Sequence, residues 1–164
     1  MQPRAAAAAE ATREVLVFVL GAEEYGVDIL KVQEIRGCEK VTTIPAAPAF
    51  LKGVVNLRGT IVPVVDLRTK FGLPVPADDS HAVVVVLRIT NRVIGAVVDG
   101  VSDVVRLTHS DVKPAPELGS VVDASFIAGV ATKGGRMILL VDIEKLLSTG
   151  ELNLLRGAAA GGAA

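Results

Sequence analysis

Residues 15–36 read VLVFVLGAEEYGVDILKVQEIR, and they align without a gap on residues 84–105, VVVLRITNRVIGAVVDGVSDVV. A second stretch, FLKGVVNLRGTIVPVVDL at 50–67, aligns in the same way on FIAGVATKGGRMILLVDI at 126–143. The matched positions hold glycines, apolar residues of core size and one aspartate. A repeated backbone retains residues of these types, so the chain is predicted to contain two copies of one structural unit.

Each copy is predicted to form short β-strands. Runs rich in Val and Ile are separated by two-residue turn signals, among them Gly21-Ala22, Arg58-Gly59 and Gly134-Gly135. Because the turns are closely and regularly spaced, each copy is expected to form a small barrel rather than an open sheet.

The opening strand of each copy is predicted to be covered on both faces. VLVFVL at 15–20 and VVVVL at 83–87 are apolar at successive positions, whereas a strand with one solvated face alternates. The simplest cover is the other copy, so two barrels are expected to pack back to back around a shared core. A copy of roughly 65 residues is marginal on its own, which also favours joint folding.

Each copy ends in an aspartate followed by a helical pattern, DLRTKF in the first and DIEKLL in the second. Asp66 and Asp142 are therefore predicted to be helix N-caps rather than catalytic acids. The second helix is expected over approximately 142–156, with its leucines docked on the barrels.

These patterns predict an all-β chain with one folded domain. Its expected parts are an alanine-rich disordered tail at 1–13, a domain at 14–156 with barrel copies at approximately 14–79 and 80–147, and a disordered tail at 157–164.

Composition argues against several classes of partner. The net charge is −1 and the basic residues form no run, so neither nucleic acid nor an anionic membrane surface is expected to bind. The longest apolar runs are strand-sized, far below the roughly 20 residues of a membrane-spanning helix. Cys38 is the only cysteine, which excludes an internal disulfide and favours a reducing, cytoplasmic location.

No motif in the sequence points to catalysis. Nucleophile-elbow, phosphate-loop and dinucleotide motifs are missing, and the two histidines have no neighbouring ligands for a metal. The adjacent acids Glu23-Glu24 and Asp78-Asp79 are interpreted as solvated turns. The chain is therefore predicted to be a protein-binding module without cofactor or metal. A small-ligand or hydrolytic barrel is the alternative class, and it would require a polar pocket.

Several long motifs carry a family resemblance. These are VFVLGAEEYGVDILKVQEIRG, IPAAPAFLKGVVNLRGTIVPVVDLRTKFGL, VVDGVSDVVRL, KPAPEL and ILLVDIEKLL, which occur in this order across roughly residues 14–155. In these motifs the chain resembles the CheW family of bacterial chemotaxis coupling proteins. The resemblance implies two five-stranded SH3-like barrels around a common core, with short helices and a C-terminal helix. It also implies an adaptor without catalytic activity.

The resemblance further implies the partners. Proteins of this family bridge the cytoplasmic tips of methyl-accepting chemoreceptors and the histidine kinase CheA. The regulatory domain of CheA has the same double-barrel fold and joins barrel to barrel, which builds rings in the receptor array. A monomer is expected in isolation, recruited to membrane-associated arrays. The alternative within this class is a paralogue that serves another receptor–kinase array, such as one controlling pili.

The residues that match the family's receptor face, and that are carried over by resemblance, are Val32, Glu34, Ile35, Gly53, Asn56, Arg58, Gly59, Val101 and Val104. The valines and Ile35 have an alternative interpretation as core residues, and the glycines as requirements of backbone shape. Arg58 aligns with Gly134, so the turn itself does not need an arginine. A partner, or pairing with Glu34, would explain it better.

Overall fold

In a computed structural model of the chain, the structure describes residues 12–37, 41–76, 80–114 and 126–146. The strands are β1 Thr12–Leu20, β2 Glu23–Asp28, β3 Val32–Gly37, β4 Leu51–Leu57, β5 Thr60–Asp66, β6 Val83–Ile89, β7 Arg92–Val98, β8 Gly100–Thr108, β9 Val112–Lys113, β10 Ile127–Lys133 and β11 Arg136–Val141. Short helices α1, Leu67–Lys70, and α2, Ile143–Leu146, follow β5 and β11, and 3-10 turns lie at Ile29–Lys31 and His109–Asp111.

The predicted duplication is present element by element. Strands β1 to β5 occupy the same places in the first copy as β6, β7, β8, β10 and β11 occupy in the second. Helices α1 and α2 are likewise equivalent. The described residues form two sheets, with strand orders β8-β1-β2-β11-β10-β9 and β3-β6-β7-β5-β4. We call them the β1 barrel and the β6 barrel.

The expectation that each sequence copy forms its own barrel is wrong. The β1 barrel combines the β1–β2 hairpin of the first copy with the last strands of the second, and the β6 barrel makes the reciprocal combination. The chain crosses from one barrel to the other after β2 and returns after β7. An internal alignment shows which strands are equivalent, but it does not show which strands pair. The boundaries at 14–79 and 80–147 therefore mark copies and not barrels.

Strand pairing follows the same exchange in both barrels. Leu16 lies opposite Val104 in the β1 barrel, and their repeat mates Val85 and Ile35 lie opposite each other in the β6 barrel. Each of these two pairings also contains a β-bulge, and the two bulges lie at equivalent positions. The two barrels are thus built on one register, related by the internal repeat.

Each barrel closes because the chain that follows one edge strand folds back and pairs with the strand at the other side of the sheet. After β3, Thr42 exchanges two backbone hydrogen bonds of 2.9 Å with Val54 of β4. After β8, the short strand β9 pairs with β10 in the equivalent way. These closing pairs cover part of the outer edges of β4 and β10, which protects those edges from pairing with other chains.

The core is divided into three clusters, as two-sided burial of the opening strands predicts. Val15 and Val17 of β1 point into the β1 barrel, while Leu16 and Phe18 point into a shared cluster between the barrels. All four are at most 3% exposed, so the successive apolar positions are explained and the prediction is confirmed. Strand β6 is arranged alike, with Val84 and Val86 in its own barrel and Val85 and Leu87 in the shared cluster.

The predicted N-caps are also confirmed. A carboxylate oxygen of Asp66 accepts the N–H of Arg68 at 3.0 Å, and Asp142 accepts the N–H of Glu144 at 3.0 Å. The expected C-terminal helix is described only as far as Leu146, and the remainder up to 156 lies outside the described residues. The predicted tails lie outside them too, apart from Thr12 and Arg13, which belong to β1. None of the described helices is long and apolar enough to cross a membrane.

Candidate protein-binding surface

Glu34 and Arg58, both predicted site residues, form an ion pair. The pair lies at the seam of the β6 barrel, which is the junction between its two edge strands, β3 and β4. Glu34 lies on edge strand β3 opposite Val86, a residue of the barrel's interior, so its carboxylate faces the seam. Arg58 reaches it from the β4–β5 turn, and Arg36 adds a hydrogen bond of 3.2 Å to the same carboxylate. Hydrogen bonds from Arg58 and then Arg36 hold the pKa of Glu34 below its ordinary value.

The backbone at Arg58 is unusual for an arginine. Its φ is 51°, in the left-handed region, and Gly59 follows with φ 89°. The repeat mate Gly134 has φ 60°, so the turn itself suits glycine at this position. A bulky residue is disfavoured in that region, typically by about 1 kcal/mol. The arginine is thus present despite the backbone, and its side chain is 66% exposed even while paired.

Asn56 and Gly59 have a local structural role in the same turn. The side-chain oxygen of Asn56 accepts the backbone N–H of Gly59 at 2.8 Å. This bond closes the turn and sets the position from which Arg58 extends. The structure therefore brings Glu34, Asn56, Arg58 and Gly59 together, and we call them the seam cluster.

Gly53 is required by the backbone. It lies buried at a β-bulge of β4 with φ 153°, and a Cβ atom added there would lie 2.1 Å from the carbonyl oxygen of Thr42. That oxygen belongs to the bridge that closes the barrel. A side chain at this position would push the closing bridge apart, so the alternative interpretation in terms of backbone shape explains Gly53 fully.

The four apolar site residues divide into two equivalent pairs. Val32 and Val101 are half-buried and pack against the shared cluster, as the core interpretation expects. Ile35 and Val104 are 46% and 47% exposed on the edge strands β3 and β8. Their cross-strand neighbours point into the shared cluster, so both side chains lie on the face of their sheet that meets the other barrel. They offer two exposed apolar contacts in equivalent places.

A second acid–arginine cluster was not predicted. Asp103, the repeat mate of Glu34, accepts hydrogen bonds of 3.0 and 2.9 Å from Arg136, and Glu24 accepts two more from the same guanidinium. Arg136 follows Gly135 in the hairpin that corresponds to the one bearing Arg58. Each barrel thus ties its edge-strand acid to an arginine from the equivalent hairpin. The sequence did contain a signal for this cluster, because each of the two hairpins carries one arginine. Arg136 lies two positions beyond the residue that aligns with Arg58, so an alignment without gaps does not match the two arginines.

The Arg136 cluster makes stability depend on pH. Hydrogen bonding to Arg136 lowers the pKa of both Glu24 and Asp103. A lowered pKa means that the stabilisation is present above the ordinary carboxyl pKa of about 4 and is lost as the pH falls through the folded-state value. We expect wild type to exceed Arg136→Met in unfolding free energy at pH 7, with the difference shrinking between about pH 4 and pH 2. Urea unfolding at several pH values measures this; a constant difference would contradict it.

What these groups offer is recognition through charge and apolar contact. Arg58 presents a mostly exposed side chain with a positive charge, and Ile35 and Val104 add apolar surface. Over the part of the chain that the structure describes, no three His, Cys, Asp or Glu side chains lie together as a metal site would require.

Comparison with known proteins gives consistent matches. A family model described as the CheW-like domain matches residues 14–151. The chain is 53% identical over 143 residues to the chemotaxis protein CheW of Klebsiella aerogenes, covering 87% of this chain and 86% of that protein. It is 37% identical over 139 residues to that of Rhizobium meliloti, covering 85% and 90%. The crystal structure of the scaffolding protein TtCheW from Thermoanaerobacter tengcongensis superposes with a TM-score of 0.78 at 30% identity, covering 86% of this chain and 96% of that one.

Proposed function

The chain belongs to the CheW family of chemotaxis scaffold proteins, and we propose that it couples chemoreceptors to the histidine kinase CheA without a catalytic step of its own. Its partners in this role are the cytoplasmic tips of methyl-accepting receptors and the regulatory domain of the kinase. The proposed place of action is the cytoplasm, at membrane-associated receptor arrays.

The observation that carries the proposal is the exposed arginine at a turn that suits glycine. Arg58 occupies a left-handed backbone position where its repeat mate is Gly134. Residues held in a disfavoured conformation are concentrated at functional sites, where the side chain is needed for a contact. Pairing with Glu34 fixes the guanidinium but leaves most of the side chain exposed to a partner.

The apolar residues support the same role. Ile35 and Val104 are exposed on the two edge strands. Each lies on the same sheet face as the residues of the shared cluster, at the outer end of that face. A helical receptor tip presents an apolar stripe that such side chains can cover, with charged groups alongside. We propose that Ile35, Val104 and the seam cluster contact the receptor, and that Val32 and Val101 support them from below.

Replacing Arg58 by alanine is expected to weaken receptor binding while the fold remains intact. The Glu34–Arg58 pair is exposed, and exposed pairs contribute little to stability. The measurement is co-sedimentation of this chain and CheA with membranes that carry receptors, which should retain both proteins for wild type and lose most of this chain for Arg58→Ala.

The matched control is Arg136→Ala, which removes the arginine from the equivalent hairpin of the other barrel. This variant should still co-sediment, because the proposal places Arg58 and not Arg136 against the receptor. If Arg58→Ala instead lowers the thermal unfolding midpoint strongly, its role is structural and the assignment to the receptor contact is wrong.

A further inference from the structure

A cleft of about 430 Å³ opens in the β1 barrel beside α2. Its walls come from the start of β1, the end of β2 and the segment that joins β11 to α2. Three carboxylates and three cations line it, namely Asp28, Asp142, Glu144, Arg13, Lys31 and Lys145. Glu144 and Lys31 form an ion pair with each other, so Asp28 and Asp142 are the remaining acids on the cleft wall.

In the β6 barrel, the position equivalent to Glu144 holds a buried arginine. Arg68 is the repeat mate of Glu144 and is 1% exposed. Its Nε and Nη2 donate to the two carboxylate oxygens of Asp66 at 2.9 Å each, and its Nη1 donates to Asp99 at 3.2 Å. A guanidinium is thus buried between two carboxylates in one half of the molecule, whereas its repeat mate Glu144 lies exposed on the cleft wall in the other.

The carboxylate that would receive a guanidinium in the cleft is already oriented for it. Asp142 is the repeat mate of Asp66, and both cap their helix through the same bond to the residue two positions on. Of the described residues, none donates a side-chain hydrogen bond to Asp142 that corresponds to those of Arg68 on Asp66. Asp28, which caps the 3-10 turn through the N–H of Leu30, supplies a second carboxylate from the end of β2.

We propose that this cleft binds an arginine side chain of a partner protein, held by Asp142 with Asp28 as the second carboxylate. The planar guanidinium matches a carboxylate through two parallel hydrogen bonds, a geometry that lysine cannot reproduce. The apolar floor, formed by Val15, Val27 and Leu140, receives the methylene stem. The inference rests on the internal repeat and does not depend on the proposed coupling role.

The test uses the full chain and a small probe, Nα-acetyl-L-arginine methylamide. In ¹⁵N–¹H correlation spectra, we expect saturable shifts confined to amides of the cleft walls, such as those of Gly26, Leu140 and Glu144. Asp142→Asn should weaken the probe's affinity at least about tenfold, because the neutral amide cannot form the charged pair. Asparagine is as good an N-cap as aspartate, so this variant keeps the helix end.

Three controls separate the cleft from general attraction between charges. The citrulline analogue of the probe, which has nearly the same shape but no charge, should show no saturable shifts. Glu23→Gln, which removes an exposed acid outside the cleft, should leave the affinity unchanged. Glu144→Arg, which copies Arg68 in the second half, should abolish probe binding without lowering the unfolding free energy. The proposal is overturned if no saturable shifts occur, or if Asp142→Asn binds the probe as wild type does.

Discussion

Replacing Val15 by aspartate is expected to abolish cooperative folding. Val15 is 2% exposed and lies in the interior of the β1 barrel with Ile138 and Leu140. The opposite face of β1 is buried as well, because Leu16 and Phe18 pack in the shared cluster. A carboxylate at this position would replace the apolar contacts with Ile138 and Leu140, and burying it costs several kcal/mol out of the roughly 5–15 kcal/mol that stabilise a domain.

Thermal unfolding followed by circular dichroism measures this effect. Wild type should show one cooperative transition and Val15→Asp none, with loss of the β-sheet spectrum at room temperature. Val75→Asp is the matched control, because Val75 is 45% exposed and should tolerate the same change. A cooperative transition for Val15→Asp near that of wild type would show that β1 is not covered on both faces.

Removal of the buried charge at Arg68 is expected to cost about 3–5 kcal/mol. Arg68→Met keeps the length of the side chain but leaves Asp66, which is 5% exposed, without its cation. The network also connects the barrels, since Asp99 accepts the N–H of Gly21 from the β1–β2 turn at 2.7 Å while it holds Arg68. Loss of the arginine therefore weakens a contact between the two halves.

Urea unfolding measures this cost, and a second substitution identifies its cause. Asp66→Asn, combined with Arg68→Met, removes the unpaired charge while asparagine still caps α1. The double variant should recover part of the loss, because removing both ions is far less costly than removing one. A single variant that loses less than about 1 kcal/mol would mean that the buried network contributes little to stability.

The sequence was sufficient for the fold class and for the architecture of two barrels. Unbroken apolar runs in β1 and β6 predicted the shared cluster, and the internal alignment predicted every repeated strand. The exchange of strands was not predictable, because equivalent strands have equivalent side chains and either partner would satisfy the apolar pattern. The strand pairing in the structure shows it, for example the register of Leu16 with Val104 and of Val85 with Ile35.

The residues of the candidate site could be named from the family resemblance, but their arrangement could not be predicted. Two explanations for Arg58 were considered, pairing with Glu34 and contact with a partner protein. The structure contains the pair, and the exposed part of the arginine is still available to a partner. Gly53 proved to be a requirement of the backbone. Arg68 carried no signal at all, since an arginine in the first turn of a helix is ordinarily solvated and its burial depends on Asp99, 31 positions away.

The most direct test of the coupling role is autophosphorylation of CheA, measured with receptor signalling fragments and with or without this chain. We expect strong activation of the kinase only when all three components are present, and little activation when Arg58→Ala replaces the wild-type chain. If the folded wild-type chain produces no activation in the complete mixture, it does not couple these receptors to CheA, and the proposed function is wrong.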